Sequence, residues 1–222
     1  MNDHPRPDRA ARAVLRAAAL VAAFAAALAA ALSTALAAGC SLLPDPPAAP
    51  RVYRVPSSDA PAAAESAPAG RLRLRTVASA AYLDEGVAWR SGVQVGIRPG
   101  VRWAERPEVV LQHVLLTRLF SGGRLVRTEA IDAPLLDVDL LAFEELLDEG
   151  GDVALVELRA RMLDESRDEV LSLELQSRQP LAADGDRTEA LARALGAGLD
   201  DVCSRLAADV VRTFGRPRKD PQ

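Results

Sequence analysis

Between Arg71 and Gly215 apolar residues recur at two different periods, and the switches between them outline the elements. Arg71-Leu72-Arg73-Leu74-Arg75 alternates strictly, as a half-buried strand does. Asp84-Glu85-Gly86 reads as a turn into a second strand over 87–91. Val93, Val95 and Ile97 mark a third, ended by Pro99-Gly100. The period then lengthens. Pro107 suits the first position of a helix whose Leu111, Val114, Leu115 and Leu119 share one face, and Ser121-Gly122-Gly123 stops it. Three more alternating runs follow: Leu136 to Leu140, Ala154 to Met162 beyond a Gly150-Gly151 turn, and Leu171 to Leu175 after Asp164 to Asp168. Asp186 with Glu189 resembles a capping box. It opens a long helix in which Leu191, Leu195, Leu199, Val202, Leu206, Val210 and Phe214 step by three or four.

Polar residues at every second strand position imply a sheet with one wet face, the antiparallel habit. About six strands and two amphipathic helices therefore predict an α+β fold: a two-layer sandwich with a mostly antiparallel sheet and both helices on one face. The predicted domain covers 71–215, and the basic tail 216–222 should fray. Upstream, residues 44–70 are rich in Pro, Ala and Ser and cannot bury a core. Val52-Tyr53-Arg54-Val55 is a strand-like island within this spacer, expected to dock on the domain. About 30 residues of spacer would span at most ~100 Å.

The first 39 residues have a separate character. Arg6, Arg9, Arg12 and Arg16 precede a run from Ala17 to Ala38 without a charge, closed by Leu36-Ala37-Ala38-Gly39-Cys40. A positive segment, an apolar segment and small residues at the cut are the layout of a secretory signal. The run is long enough to cross a bilayer, so an uncleaved anchor is the competing reading. Its weakly hydrophobic alanines and the absence of a stop-transfer cluster favour cleavage. Small residues followed directly by cysteine look like a bacterial lipobox. That resemblance implies a mature chain beginning at Cys40, carrying diacylglycerol and an N-acyl group. By the same resemblance Ser41, in place of aspartate, implies export to the outer membrane, with the domain facing the periplasm.

Removing four arginines together with Asp3 and Asp8 takes the net charge from −4 to −6. An acidic mature chain lacks the basic footprint of a nucleic-acid binder. With Cys40 acylated, Cys203 has no partner for an intrachain disulfide and reads as a small buried hydrophobe; a reactive thiol is the alternative. Beyond Cys40 one histidine, His113, and one spare cysteine cannot fill a tetrahedral zinc site. No Gly-x-Ser-x-Gly elbow accompanies His113, which reads as a surface residue. Glu144, Glu145, Asp148, Glu149 and Asp152 surround a Gly-Gly turn without calcium-loop spacing, and read as a solvated turn. Asp137 and Asp139 share a strand face, with nothing evident to raise the pKa of either. No phosphate-cradling glycine loop is present. The expectation is a protein that is not an enzyme and holds no cofactor or metal. Arg71, Arg73 and Arg75 either meet lipid head groups or an acidic partner, or protect an edge strand from aggregation.

The order of blocks is also informative. The lipobox is followed by a strand at Tyr53, then Ala81-Tyr82-Leu83-Asp84 leading to Val87-Ala88-Trp89-Arg90. Trp103-Ala104-Glu105-Arg106-Pro107 opens the first helix, and Leu136-Asp137-Val138 to Phe143-Glu144 and a terminal Ala/Leu helix come after it. The arrangement resembles the auxiliary lipoprotein component of ABC-type transport systems, the family of paraquat-inducible protein C, apart from a long Ala/Pro/Ser insertion between Tyr53 and Leu72. The resemblance implies a non-catalytic adaptor in an MCE-linked lipid transport system. Its partners would be an MCE-domain protein and an inner-membrane ABC permease and ATPase, and it could form a homo-oligomer. Tyr53, Trp89 and Trp103 each have two readings, as core aromatics or as exposed anchors for a partner or lipid. Two other functions remain open: a structural lipoprotein that helps assemble or plug an outer-membrane complex, and a periplasmic lipid hydrolase with an unrecognised site, which His113→Ala would test.

Overall fold

The structure, a computed structural model, describes residues 48–57, 68–148 and 151–215. The signal segment, Cys40, most of the spacer and the basic tail lie outside the described residues, as do Glu149 and Gly150 of the predicted turn.

The hub of the sheet is β7 (Leu135–Leu146), a 12-residue strand used along both edges. One edge pairs antiparallel with β8 (Val153–Leu163), which pairs antiparallel with β9 (Glu169–Pro180). The other edge is shared by three short parallel strands in succession. β2 (Gly70–Leu74) takes Leu135 and Leu136, β3 (Ala78–Ser79) takes Asp139 and Leu140, and β4 (Gly86–Ser91) takes Glu144 to Leu146. β4 turns back into β5 (Gln94–Trp103), and β1 (Arg51–Tyr53) adds to β5 in parallel. β6 (Leu125–Arg127) closes the far side against β2.

The result is an α+β fold on a mixed sheet of nine strands among the described residues, where about six mostly antiparallel strands were predicted. The difference has a physical origin. The meander β7–β8–β9 has the alternation of half-buried antiparallel strands. The parallel segments are two to six residues long, and their partners lie dozens of residues away. A second difference concerns Pro99-Gly100, which does not end its strand. Gly86 faces Arg102 while Ala88 faces Ile97, so β5 bulges between them. A bulge accommodates a proline without an N–H and a glycine at φ 70°.

α1 (Pro107–Phe120) starts with proline inside its first turn and stops before Ser121, as predicted. α2 (Arg187–Phe214) is capped by the Asp186 side chain, which accepts from the Thr188 and Glu189 amides. The helices pack against each other and the sheet, and Leu111, Leu115, Leu140, Phe143, Leu195, Leu199 and Leu206 fill a continuous core. Cys203 lies in that core as a free thiol whose pKa burial pushes up. On the opposite sheet face Arg159 and Arg161 are exposed.

Arg71, Arg73 and Arg75 do not defend an edge. β2 is an inner strand between β6 and β7, and Arg75 pairs with Asp137 at 3.0 Å. The neighbour that makes β2 interior is a three-residue strand the periodicity did not reveal.

Candidate functional site

A connected set of charged and polar side chains lies where α2 begins. A helix start offers unpaired amides and a partial positive charge, so a carboxylate there is favoured. Asp186 supplies it and does more. Its Oδ1 accepts from Thr188 N at 2.8 Å and Glu189 N at 3.1 Å. Its Oδ2 accepts from Arg51 Nη1 at 3.0 Å and the Tyr53 hydroxyl at 3.1 Å. These donors, the Glu189 amide foremost, hold the Asp186 carboxyl below the usual range, whereas burial followed by the Asp186 hydrogen bond raises the Tyr53 phenol.

β1 is thereby fixed on two sides, to β5 by the ladder and to α2 by one carboxylate. Val55 continues into the core. Pro56 crosses α2 at Gly196, where an added Cβ would lie 2.2 Å from the Pro56 carbonyl oxygen. The packed domain consequently begins at Arg51, and eleven links separate it from Cys40.

The next residue of α2 serves the other strands. Arg187 donates to Glu145, with its Nε 2.7 Å from Oε1, and also pairs with Asp152. Glu145 is fully buried and receives Arg98 from β5 as well, with Nε at 2.9 Å. Adjacent Glu144, equally buried, points to the other side of β7. There it accepts from the Tyr82 hydroxyl at 3.0 Å and pairs with Arg90 of β4 at 2.6 Å. Burial raises the Glu144 pKa, and Arg90 opposes the shift. Two consecutive glutamates thus grip the β4–β5 hairpin from both faces, one through each strand's arginine.

Glu144 and Glu145 are therefore strand residues inside the fold and not part of a solvated acidic turn. The sequence carries little signal for this pairing: Arg98 shares its strand with Arg102, and only strand register sets Arg90 and Arg98 against the two glutamates.

Trp103 is 2% exposed and meets Phe143 edge-on, with ring centroids 5.8 Å apart. It belongs to strand β5 and the core, not to the start of the helix, and does not present an exposed anchor. One side of it borders a cleft of about 370 Å³ with Arg54, Pro56, Glu105 and His113. Glu105 stands 3.8 Å from Arg54 and 3.7 Å from His113, and the His113 side chain is well exposed. Trp89 is half-buried and lies over Gly96, where an added Cβ would be 2.5 Å from the indole. Arg71 is exposed and Arg73 half-buried, apart from the aromatic candidates in chain and sheet position. Of the predicted contact residues, only Tyr53 joins the junction at Asp186.

Among the described residues no group of three or more His, Cys, Asp or Glu is arranged to hold a metal ion. No described helix is long and apolar enough to cross a membrane. What the junction does is mechanical: it fixes the N-terminal strand, the hairpin and the start of the long helix to one another.

These features define an α+β domain strapped to its own N-terminal segment. The chain belongs to the ABC-type transport auxiliary lipoprotein component family, whose family model matches residues 53–207. The fold is similar to the crystal structure of protein XCC0632 from Xanthomonas campestris, of the DUF330 family, at a TM-score of 0.65 and 18% identity over 74% of this chain and 96% of that one. It is also similar to the crystal structure of an uncharacterized protein, at a TM-score of 0.58 and 17% identity over 73% of this chain and 99% of that one. No curated protein matches the sequence.

Proposed function

We propose that this protein is a lipid-anchored, non-catalytic adaptor of an MCE-linked ABC-type lipid transport system. Cys40 carries the acyl chains, the outer membrane receives them, and the domain faces the periplasm. An MCE-domain protein and an inner-membrane ABC permease and ATPase are its partners, and the ATPase supplies the energy. The family match supports the transport role, and the lipobox-like Leu36 to Cys40 supports the anchor.

The observation that carries the adaptor reading is the strap. β1 follows Cys40 by eleven links and is held by both β5 and Asp186. The domain is therefore confined to at most ~40 Å from its anchor, far less than a 30-residue spacer would permit. A domain kept that near a membrane suits a fixed docking station.

Genetic epistasis tests the role. Loss of this protein and loss of the MCE-domain protein should produce the same envelope permeability defect, with the double loss no worse than either. Cys40→Ala should fail to complement while leaving the domain folded by circular dichroism. Additive defects, or full complementation by Cys40→Ala, would remove the adaptor reading.

A further inference from the structure

Charged residues make up 26% of the chain, yet Ser91 to Ile97 contains none. This stretch is the tip of the β4–β5 hairpin. Gly92, at φ 56°, takes the first central position of the two-residue turn, where left-handed backbone favours glycine. Beside it Val93 is 100% exposed, and Val95 and Ile97 are 48% and 47% exposed. Ala88 pairs with Ile97 and Arg90 with Val95, so these apolar side chains line one face of the hairpin. The tip is held firmly from behind, because Arg90 and Arg98 are locked onto the buried Glu144 and Glu145.

The direction of β1 relates this tip to the N-terminal segment. β1 runs parallel to β5, with Arg51 beside Val101, so its N-terminal end points towards the hairpin end of the sheet. From Val101 back to Val93 is eight strand residues, ~27 Å. Cys40 precedes Arg51 by eleven links and can lie no more than ~40 Å away, whatever path the chain follows. The attachment point is thus within reach of a plane that touches the tip. Among the described residues β1 covers β5 only from Val101 to Trp103, and Pro44, Pro46, Pro47 and Pro50 of the preceding chain have no N–H to give a ladder.

We propose that the hairpin tip, through Val93, Val95 and Ile97, rests in the interfacial zone of the lipid surface to which Cys40 is anchored. The contact is shallow, ~5–10 Å, because the edge of β5 that has no strand partner among the described residues must stay hydrated or meet head groups. A zwitterionic surface suffices for it, because Ser91 to Ile97 brings no charge to the contact. This inference rests on acylation of Cys40.

Full-length acylated protein carrying Val93→Cys, with an environment-sensitive fluorophore on that thiol, tests it. Cys203 is buried and Cys40 is blocked. The protein is placed in phosphatidylethanolamine/phosphatidylcholine vesicles containing nitroxide-labelled lipid. A fluorophore on Ser166→Cys, in the exposed β8–β9 turn at the opposite end of the sheet, is the control. Quenching at position 93 should exceed that at 166 at least threefold, and Val95→Glu should remove most of the difference. Equal quenching in protein that floats with the vesicles overturns the tip contact and leaves the anchor intact. A concentration-dependent blue shift without vesicles assigns the tip to a second copy. A shift seen only in detergent-extracted complexes assigns it to a protein partner. Either result overturns the proposal. Absence of acyl mass on Cys40, with no flotation, overturns the anchor and the tip contact together.

Discussion

The Asp186 carboxylate that caps the long helix accepts a hydrogen bond from the Tyr53 hydroxyl, 3.1 Å away and 133 positions earlier in the chain. One side chain therefore both starts α2 and fastens β1, the first strand among the described residues. Asp186→Ala should release both, lowering Tm by about 2–6 °C. Amide exchange over 51–55 should accelerate far more than in the core. Tyr53→Phe keeps the cap, so it should loosen β1 while leaving Tm almost unchanged.

Gly196 is required by the same strap. Its missing Cβ makes room for the Pro56 carbonyl, and backbone cannot move aside as a flexible side chain can. Gly196→Val should displace 54–57 from α2 and open the chain to limited proteolysis after Arg54 or Arg51. The α2 helix itself should persist, because valine costs a helix interior only a fraction of a kcal/mol relative to alanine (~0.6). Unchanged cleavage rates would contradict the close approach.

Two carboxylates give the fold opposite pH responses. Asp186 is held below its ordinary pKa, so its stabilisation is present above the unfolded value and is lost as pH falls through the folded one. Glu144 is raised by burial, so it favours the folded state most at low pH, and that contribution is lost as pH rises through the folded value.

Arg90→Ala sharpens the second effect by removing the cation paired with buried Glu144. A buried carboxylate without its partner costs about 3 kcal/mol, and protonation relieves part of that. Urea unfolding should show a deficit near that size at pH 8 and a clearly smaller one at pH 5. A deficit independent of pH would mean that Glu144 is not the group left unpaired.

Phe143 tests the core beneath the hairpin. It is 1% exposed and meets Trp103 edge-on. Phe143→Ala should cost about 3–5 kcal/mol in urea unfolding and raise the mobility of the Trp103 indole in fluorescence anisotropy. Trp89, on the hairpin, offers an internal reference.

Much of this architecture is legible in the sequence because it is local. Alternation exposes the β7–β8–β9 meander, and Pro107 and Asp186 mark both helix starts within a residue. The parallel strands are not legible, since β3 has two residues and its pairing with Asp139 and Leu140 leaves no periodic trace. The site follows the same division. Tyr53 stands out as an aromatic in a spacer, but its partner is a capping residue 133 positions away. Glu144 and Glu145 look like part of an acidic turn because they adjoin Asp148. Only the register of β4 against β7, and of β5 against β4, brings Arg90 and Arg98 onto them. Trp103 reads ambiguously because the bulge at Pro99-Gly100 hides the continuation of its strand.

The most direct test of the adaptor account is chemical crosslinking of intact envelopes from cells carrying a tagged full-length chain, followed by purification and mass spectrometry. The account predicts recovery of an MCE-domain protein together with its ABC permease and ATPase, with recovery lost on Cys40→Ala. Recovery of an outer-membrane barrel alone, with no MCE-domain protein, would contradict it.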